Sequence, residues 1–262
     1  MRLQMLLRRV LDHVRDQNWF AVSLDFVIVV IGVFIGIQVA NWNESRLNRQ
    51  LEIEFLSGIY TDLQADKESL QRAIVFASDN IEAGNYLLSA AGFEPLDSAI
   101  FPLPDASNRP DVDAPTFLGR IDESVSGNLW SRLMVRYFPT PNDAAFSTLV
   151  ATGRLGLIDD WVVVSELQSY RSQWRNLDTS QNETLRPFRS QAVFNGQKYA
   201  LSPYTRLPEE MIVRLLQDHS DLLGAVRTHL EYVAIHRNLL SETLVLTEAL
   251  LDMVENSLAI KH

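Results

Sequence analysis

The 262-residue sequence contains no cysteine. That absence excludes a disulfide framework, cysteine-ligated zinc, iron–sulfur clusters and thiol catalysis. Glycine and proline number only 11 and 10, which excludes collagen-like and low-complexity chains. Basic residues are outnumbered: 23 Lys and Arg stand against 33 Asp and Glu, a net charge of −10 that argues against a nucleic-acid partner. Strand-like alternation and internal repeats are also missing. What remains, 47% hydrophobic and 21% charged residues, is an ordinary globular composition in a chain long enough for one large domain or two small ones.

The scarce positive charge is unevenly placed. Residues 1–18 hold Arg2, Arg8, Arg9 and Arg15 against two Asp, while the rest of the chain carries a large acidic excess. Immediately after this basic lead comes the strongest signal. From Phe26 to Ala40 the chain reads FVIVVIGVFIGIQVA, with no charge and only Gln38 strongly polar. Trp19 to Ala40 is long enough, at roughly 33 Å of helix, to cross a bilayer core of about 30 Å. Trp19, Phe20 and Trp42 stand at its ends, where aromatic rings favour the headgroup layer. A buried core helix fits the Arg-rich lead-in and flanking Trp less well. A cleaved signal peptide would need a shorter apolar stretch and a small-residue cleavage site, whereas Asn41-Trp42-Asn43-Glu44 follows Ala40. The reading is an uncleaved transmembrane helix over 19–42. Four arginines precede it and two, Arg46 and Arg49, follow closely, so the N-terminus is expected in the cytoplasm and residues 43–262 outside. Leu3, Leu7, Val10 and Val14 recur at helical spacing beside the arginines, as in an amphipathic basic segment on the anionic inner leaflet. That segment serves equally well as a plain orientation signal.

Within the span, Asp25, Gly32, Gly36 and Asn43 fall on one helical stripe, and Gly32–Gly36 is a GxxxG pair. Small residues let helix backbones approach, and a carboxyl group on the same face would be sheltered from lipid. The four residues are therefore candidates for a helix–helix contact in the membrane, with a partner or a second copy. Against that stand the general frequency of glycine in spans and the nearness of Asp25 to the hydrated interface.

The run Trp19-Phe20-Ala-Val-Ser-Leu-Asp25, then Ile28 to Gln38, then Asn41-Trp42-Asn43-Glu44, resembles the N-terminal signature of a family of uncharacterised bacterial inner-membrane proteins. Phe146 to Ile158, with its Thr-Gly-Arg-Leu-Gly-Leu-Ile core, is similar to the soluble part of the same family. The resemblance implies a one-span bacterial envelope protein with a helical domain. It carries no catalytic residue.

Beyond the span the pattern is helical. Leu56, Tyr60, Leu63, Leu70, Ile74, Ala77, Ile81 and Leu88 predict one helix from Glu44 to about Ala91, softened at Gly58 and Gly84. Residues 92–115 hold half of the prolines and several Asp, and read as an irregular acidic loop. Further helices are expected over Glu123–Phe138, over Ala144–Thr152 with Asn142 or Asp143 as cap and Gly153 as stop, and over about 160–177 with Asp159 as cap. The face of that last helix is Trp161, Val164, Leu167, Tyr170 (or Arg171) and Trp174. Another is expected from Thr179 or Ser180 to Phe194, kinked at Pro187 and followed by a turn at Asn195-Gly196. Pro208-Glu209-Glu210 opens a further helix. Leu222, Val226, Leu230, Val233, Leu240, Leu244, Leu251, Val254 and Leu258 mark the last, from Ser220 to Leu258. The fold class is all-α: an N-terminal transmembrane helix continuing into an antiparallel bundle of long helices.

Signs of chemistry are few. Of His13, His219, His229, His236 and His262, only His229 and His236 share a face, two turns apart and without a carboxylate near both. They read as half-exposed bundle histidines. Thr152-Gly153-Arg154-Leu155-Gly156 lacks the spacing and lysine of a phosphate loop, and nucleophile motifs are missing. No metal, cofactor or catalytic site is expected. The sequence favours a membrane-anchored interaction or scaffold protein, whose partners are the bilayer and a membrane or envelope protein or a second copy. A ligand-binding sensor module is the rival. No second apolar run follows Leu258, so such a sensor would signal through a partner in the membrane. A pocket lined by polar groups between the long helices would favour the sensor; a bundle core filled entirely by aliphatics would favour the scaffold.

Overall fold

The computed structural model describes residues 19–97 and 129–261; the basic segment 1–18 and most of the acidic loop, from residue 98 on, lie outside the described residues. Among the described residues the chain is helical, with no strand. The helices are α1 (Trp19–Ala90), α2 (Leu129–Met134), α3 (Ala144–Ala151), α4 (Trp161–Thr179), α5 (Arg186–Gln197), α6 (Glu209–Asp218) and α7 (Ser220–Lys261). The chain forms two compact units, Met1–Glu52 and Ile53–His262.

In the first unit, α1 is the one helix among the described residues that is long and apolar enough to cross a membrane. Its apolar side chains from Val22 to Val39 lie exposed around the whole circumference, Phe34 at 63% and Ile35 at 56%. A core helix of a soluble fold would bury one face, and this one buries none.

In the second unit the expected stripe faces inward: Leu56, Leu63, Leu70, Ala77, Ile81 and Leu88 are all buried. On α7 the partners are Leu222, Val226, Leu230, Val233, Leu240 and Val254. Lys67 Nζ is 2.9 Å from Glu248 Oε1, and Gly84 lies against Leu230. The α7 number falls as the α1 number rises, so the two long helices run antiparallel. Gly58 and Gly84 are not soft points, as the sequence suggested, but close approaches. A Cβ at Gly84 would come within 2.4 Å of the Leu230 methyls, and one at Gly58 within 3.0 Å of Ala145 Cβ.

The shorter helices differ from expectation in several places. α2 ends at Met134 rather than Phe138, because side chains from elsewhere take its last carbonyls and Pro139 restrains the residue before it. α3 follows Asp143, but the side chain of Asp143 makes no capping bond; Asp62 supplies it from α1. Gly153, at φ +67°, closes α3, with Arg154 N donating to Leu149 O. The cap of α4 is Asp160, not Asp159: its carboxylate accepts from Val162 N at 2.9 Å and Val163 N at 3.4 Å. Trp161 is 71% exposed and leaves the α4 face, which Val163, Val164, Leu167, Tyr170, Trp174 and Leu177 form instead.

Pro187 does not break the chain of helices. A widened π-type turn, Ser180–Leu185, links α4 to α5 and absorbs the missing N–H and the bulk of the ring. Asn195-Gly196 lies inside the last turn of α5. A Cβ on Gly196 would meet the Trp130 ring at 2.7 Å, so glycine serves packing there, and the turn falls at Lys198 to Ala200.

Candidate functional site

Asp66 holds a core position between Leu63 and Leu70 on α1 and is fully buried. Asp62, one turn earlier, faces the same way. Asp62 Oδ2 accepts from Ala145 N at 3.0 Å, at the positive end of α3. Asp66 Oδ1 accepts from Asn142 N at 2.7 Å and Asn142 Nδ2 at 3.0 Å; its Oδ2 accepts from the Tyr170 hydroxyl at 2.8 Å. The Tyr170 oxygen is in turn 3.2 Å from Thr247 Oγ1 on α7. Two aspartates on α1 thus fasten the loop before α3 and one wall of α4. Burial raises the Asp66 carboxyl above its ordinary range; these hydrogen bonds oppose the rise and the Asp62 charge adds to it. Burial also drives the Tyr170 hydroxyl upward, with the Asp66 charge behind it.

Between these elements lies a cavity of about 420 Å³. Ile59, Leu63, Phe146, Leu167 and Trp174 form its apolar wall, and Tyr170 stands edge-on to Trp174 with centroids 6.3 Å apart. Its charged lining is Asp62, Asp66, Asp143 and Asp178 against Arg171 and Arg175. Arg171 is committed locally: Nη2 is 3.0 Å from Asp143 Oδ2, and the guanidinium lies 5.3 Å from the Phe146 centroid. The lining between α1 and α4 is therefore part apolar and, on balance, acidic.

A second polar cluster surrounds the end of α2. Asn80 Nδ2 donates to the carbonyls of Arg132 and, at 2.9 Å, Val135; Arg189 Nε donates to Met134 O at 2.7 Å. His229 Nε2 is 3.2 Å from Leu133 O, so it carries the ring proton and leaves Nδ1 bare. Arg136 Nη2 donates to His236 Nδ1 at 2.8 Å. His229 and His236 are fully buried, not half-exposed as their helical spacing suggested. Burial, and next the Arg136 charge, hold His229 at about 3 and His236 at about 2. Burial lowers Arg136 itself to about 9. This cluster terminates a helix inside the core; it presents no ligand set. No group of three or more His, Asp or Glu suited to a metal ion occurs among the described residues.

The residues singled out by sequence lie elsewhere. Asp25, Gly32, Gly36 and Asn43 sit on the exposed part of α1, and a Cβ at Gly32 or Gly36 would meet nothing within 4 Å. Among the described residues, none comes within 4 Å of a Cβ at either glycine of that stripe. Sequence reasoning missed Asp62, Asp66, Asn80 and Arg136, and placed Tyr170 and Trp174 only as core. One signal was present. Asp66 interrupts the apolar steps of α1, as His229 and His236 interrupt those of α7 between Val226, Val233 and Leu240.

No curated protein and no solved structure matches the chain. Residues 25–103 match a family of unknown function (DUF6090), a stretch that opens at Asp25 and takes in most of α1.

Proposed function

We propose that this chain is a bacterial inner-membrane protein, anchored by residues 19–42 with its N-terminus in the cytoplasm, whose periplasmic helical domain recognises a small ligand. In this reading it is a sensor-type module without catalytic or cofactor chemistry, and it acts through a membrane or envelope protein or a second copy. The cavity between α1, the loop before α3 and α4 carries the reading, because a buried carboxylate beside an apolar wall is what a scaffold core would avoid. The exposed apolar circumference of residues 22–39 and the arginine bias support the anchor and its direction. The scaffold reading keeps one observation of its own, the open stripe at Gly32 and Gly36.

The test is purification of the full chain from native membrane in mild detergent, followed by mass spectrometry of everything retained. The expected result is a small molecule that is lost when Thr179, an exposed residue on the cavity lining, is changed to Trp. Protein partners retained equally by both forms, with no small molecule in either, would return the scaffold reading to first place. A C-terminal phosphatase fusion is expected to be active. Inactivity, with a fluorescent fusion bright in the cytoplasm, overturns the direction.

A further inference from the structure

We propose that the cavity between α1 and α4 takes a small organic ammonium ligand, a protonated amine on an apolar or aromatic body, with the amine against Asp62. This rests on the recognition reading above and names its ligand class. The volume of about 420 Å³ falls in the ordinary range for small-molecule sites. Its lining combines apolar and charged groups. Ile59, Leu63, Leu167 and Trp174 offer an apolar and aromatic surface, which suits the body of such a molecule.

The carboxylates decide the sign of the head group. Asp143 is already neutralised by Arg171 at 3.0 Å. Asp62 and Asp66 are held differently: every partner shown for them is a neutral donor, namely Ala145 N, Asn142 N, Asn142 Nδ2 and the Tyr170 hydroxyl. Both oxygens of Asp66 are occupied, so it acts from behind as fixed negative charge and as the anchor of Tyr170. Asp62 uses only Oδ2 in the bond shown, which leaves Oδ1 for an incoming N–H. A cation there meets an unneutralised carboxylate pair in a lining that also holds Trp174 and Tyr170. An anion in the same place meets two like charges in a partly desolvated site. Arg175 and Asp178, which complete the charged lining, are both exposed and offset each other.

The test titrates 2-phenylethylammonium, 3-phenylpropanoate and 2-phenylethanol by calorimetry into the full chain in phosphatidylcholine nanodiscs at pH 7. Empty nanodiscs correct for partition into lipid. The ammonium is expected to bind at least ten-fold more tightly than the other two. Asp62→Asn keeps an acceptor for Ala145 N, and is expected to remove most of that preference while leaving the alcohol unchanged. Thr179→Trp is expected to weaken all three. If the acid or the alcohol binds as tightly as the ammonium, or if Asp62→Asn keeps the preference, the cation assignment is overturned while the cavity stands as a binding site. If none of the three gives heat beyond the empty nanodiscs, both the assignment and the recognition reading fall.

Discussion

Gly36 and Gly84 belong to the same helix and serve opposite ends. Around Gly36 a Cβ would find open space; at Gly84 it would strike the methyls of Leu230 at 2.4 Å. Their neighbours follow suit. Phe34 and Ile35 are more than half exposed, while Leu70 and Ile81 are wholly buried. Apolar content separates them in part, since Phe26 to Ala40 carries no charge whereas the bundle part of the helix mixes charged with apolar residues. The placement of polar groups separates them further. The span is apolar on every side, as lipid requires, whereas the bundle concentrates its apolar groups on one face and admits polar groups to it, of which Asp66, Asn80, His229 and His236 have hydrogen-bond partners.

The strongest way to break the comparison is to remove one of those admitted groups. Asn80 serves the carbonyls of Arg132 and Val135, and its Oδ1 accepts from Arg136. Asn80→Leu fits the apolar face better yet strands these groups in the core, at about 1–3 kcal/mol for each unsatisfied one. The expected loss is about 3–5 kcal/mol in thermal or denaturant unfolding of the detergent-solubilised chain. A loss below about 1 kcal/mol would mean that water replaces Asn80 without cost.

Acid provides a test of similar size. An exposed histidine titrates near 6.5, while His229 and His236 are held at about 3 and about 2 in the fold. Between pH 6.5 and 3 the unfolded chain takes up protons that the folded chain refuses, so stability falls as pH falls. The slope approaches about 1.4 kcal/mol per pH unit for each histidine, or about 3 kcal/mol for both between pH 6.5 and 5, because the unfolded rings are only half protonated at pH 6.5. Asp66, whose carboxyl is raised, works in the opposite sense. The His229→Gln/His236→Gln pair is expected to flatten the fall, and an unchanged pH profile would show that these rings are not the source.

These cases also show what the sequence could and could not tell. The long helices were legible because a stripe such as Leu63, Leu70, Ala77 reports its own burial. Which distant groups a buried polar residue would meet was not. Asp66 depends on Asn142 and Tyr170, residues 76 and 104 positions away, and no local pattern encodes that pairing. The same reason moved the α3 capping bond from Asp143 to Asp62 and ended α2 early at Met134. Local capping rules name the nearest donor or acceptor, and the fold brought a better-placed one. The one local clue, a polar residue in an apolar register, identifies Asp66, His229 and His236 without naming their partners.

A smaller effect sharpens the steric half of the comparison. Gly84→Ala places a methyl against Leu230, and overpacking of this kind costs about 1–3 kcal/mol. The gain in helix propensity, about 1 kcal/mol, offsets part of it. Net destabilisation is expected. It should largely vanish in Gly84→Ala/Leu230→Val, where the partner side chain is shorter. Stabilisation by the single change would show that Leu230 moves aside freely.

The smallest expected effect belongs to the span. Gly36→Ile adds bulk where nothing among the described residues comes within 4 Å, so the unfolding of the bundle is expected to stay the same within about 0.5 kcal/mol. Any consequence must then come from association. If Asp25, Gly32, Gly36 and Asn43 form a contact with a partner span, Gly32→Ile and Gly36→Ile keep the backbones apart and weaken it. Val33→Leu and Ile37→Leu, off the stripe, should not. Asp25→Asn should be milder than Asp25→Leu, because the amide keeps a hydrogen-bonding group. The size of each polar contribution is about 0.5–2 kcal/mol, since separated helices also find partners in lipid. A membrane two-hybrid or crosslinking assay, on the isolated span and on the full chain, reads it directly. Equal signals for the two glycine variants and the off-stripe controls would mean that lipid merely tolerates these glycines. The two halves of α1 would then differ in that one uses its glycines for contact and the other does not.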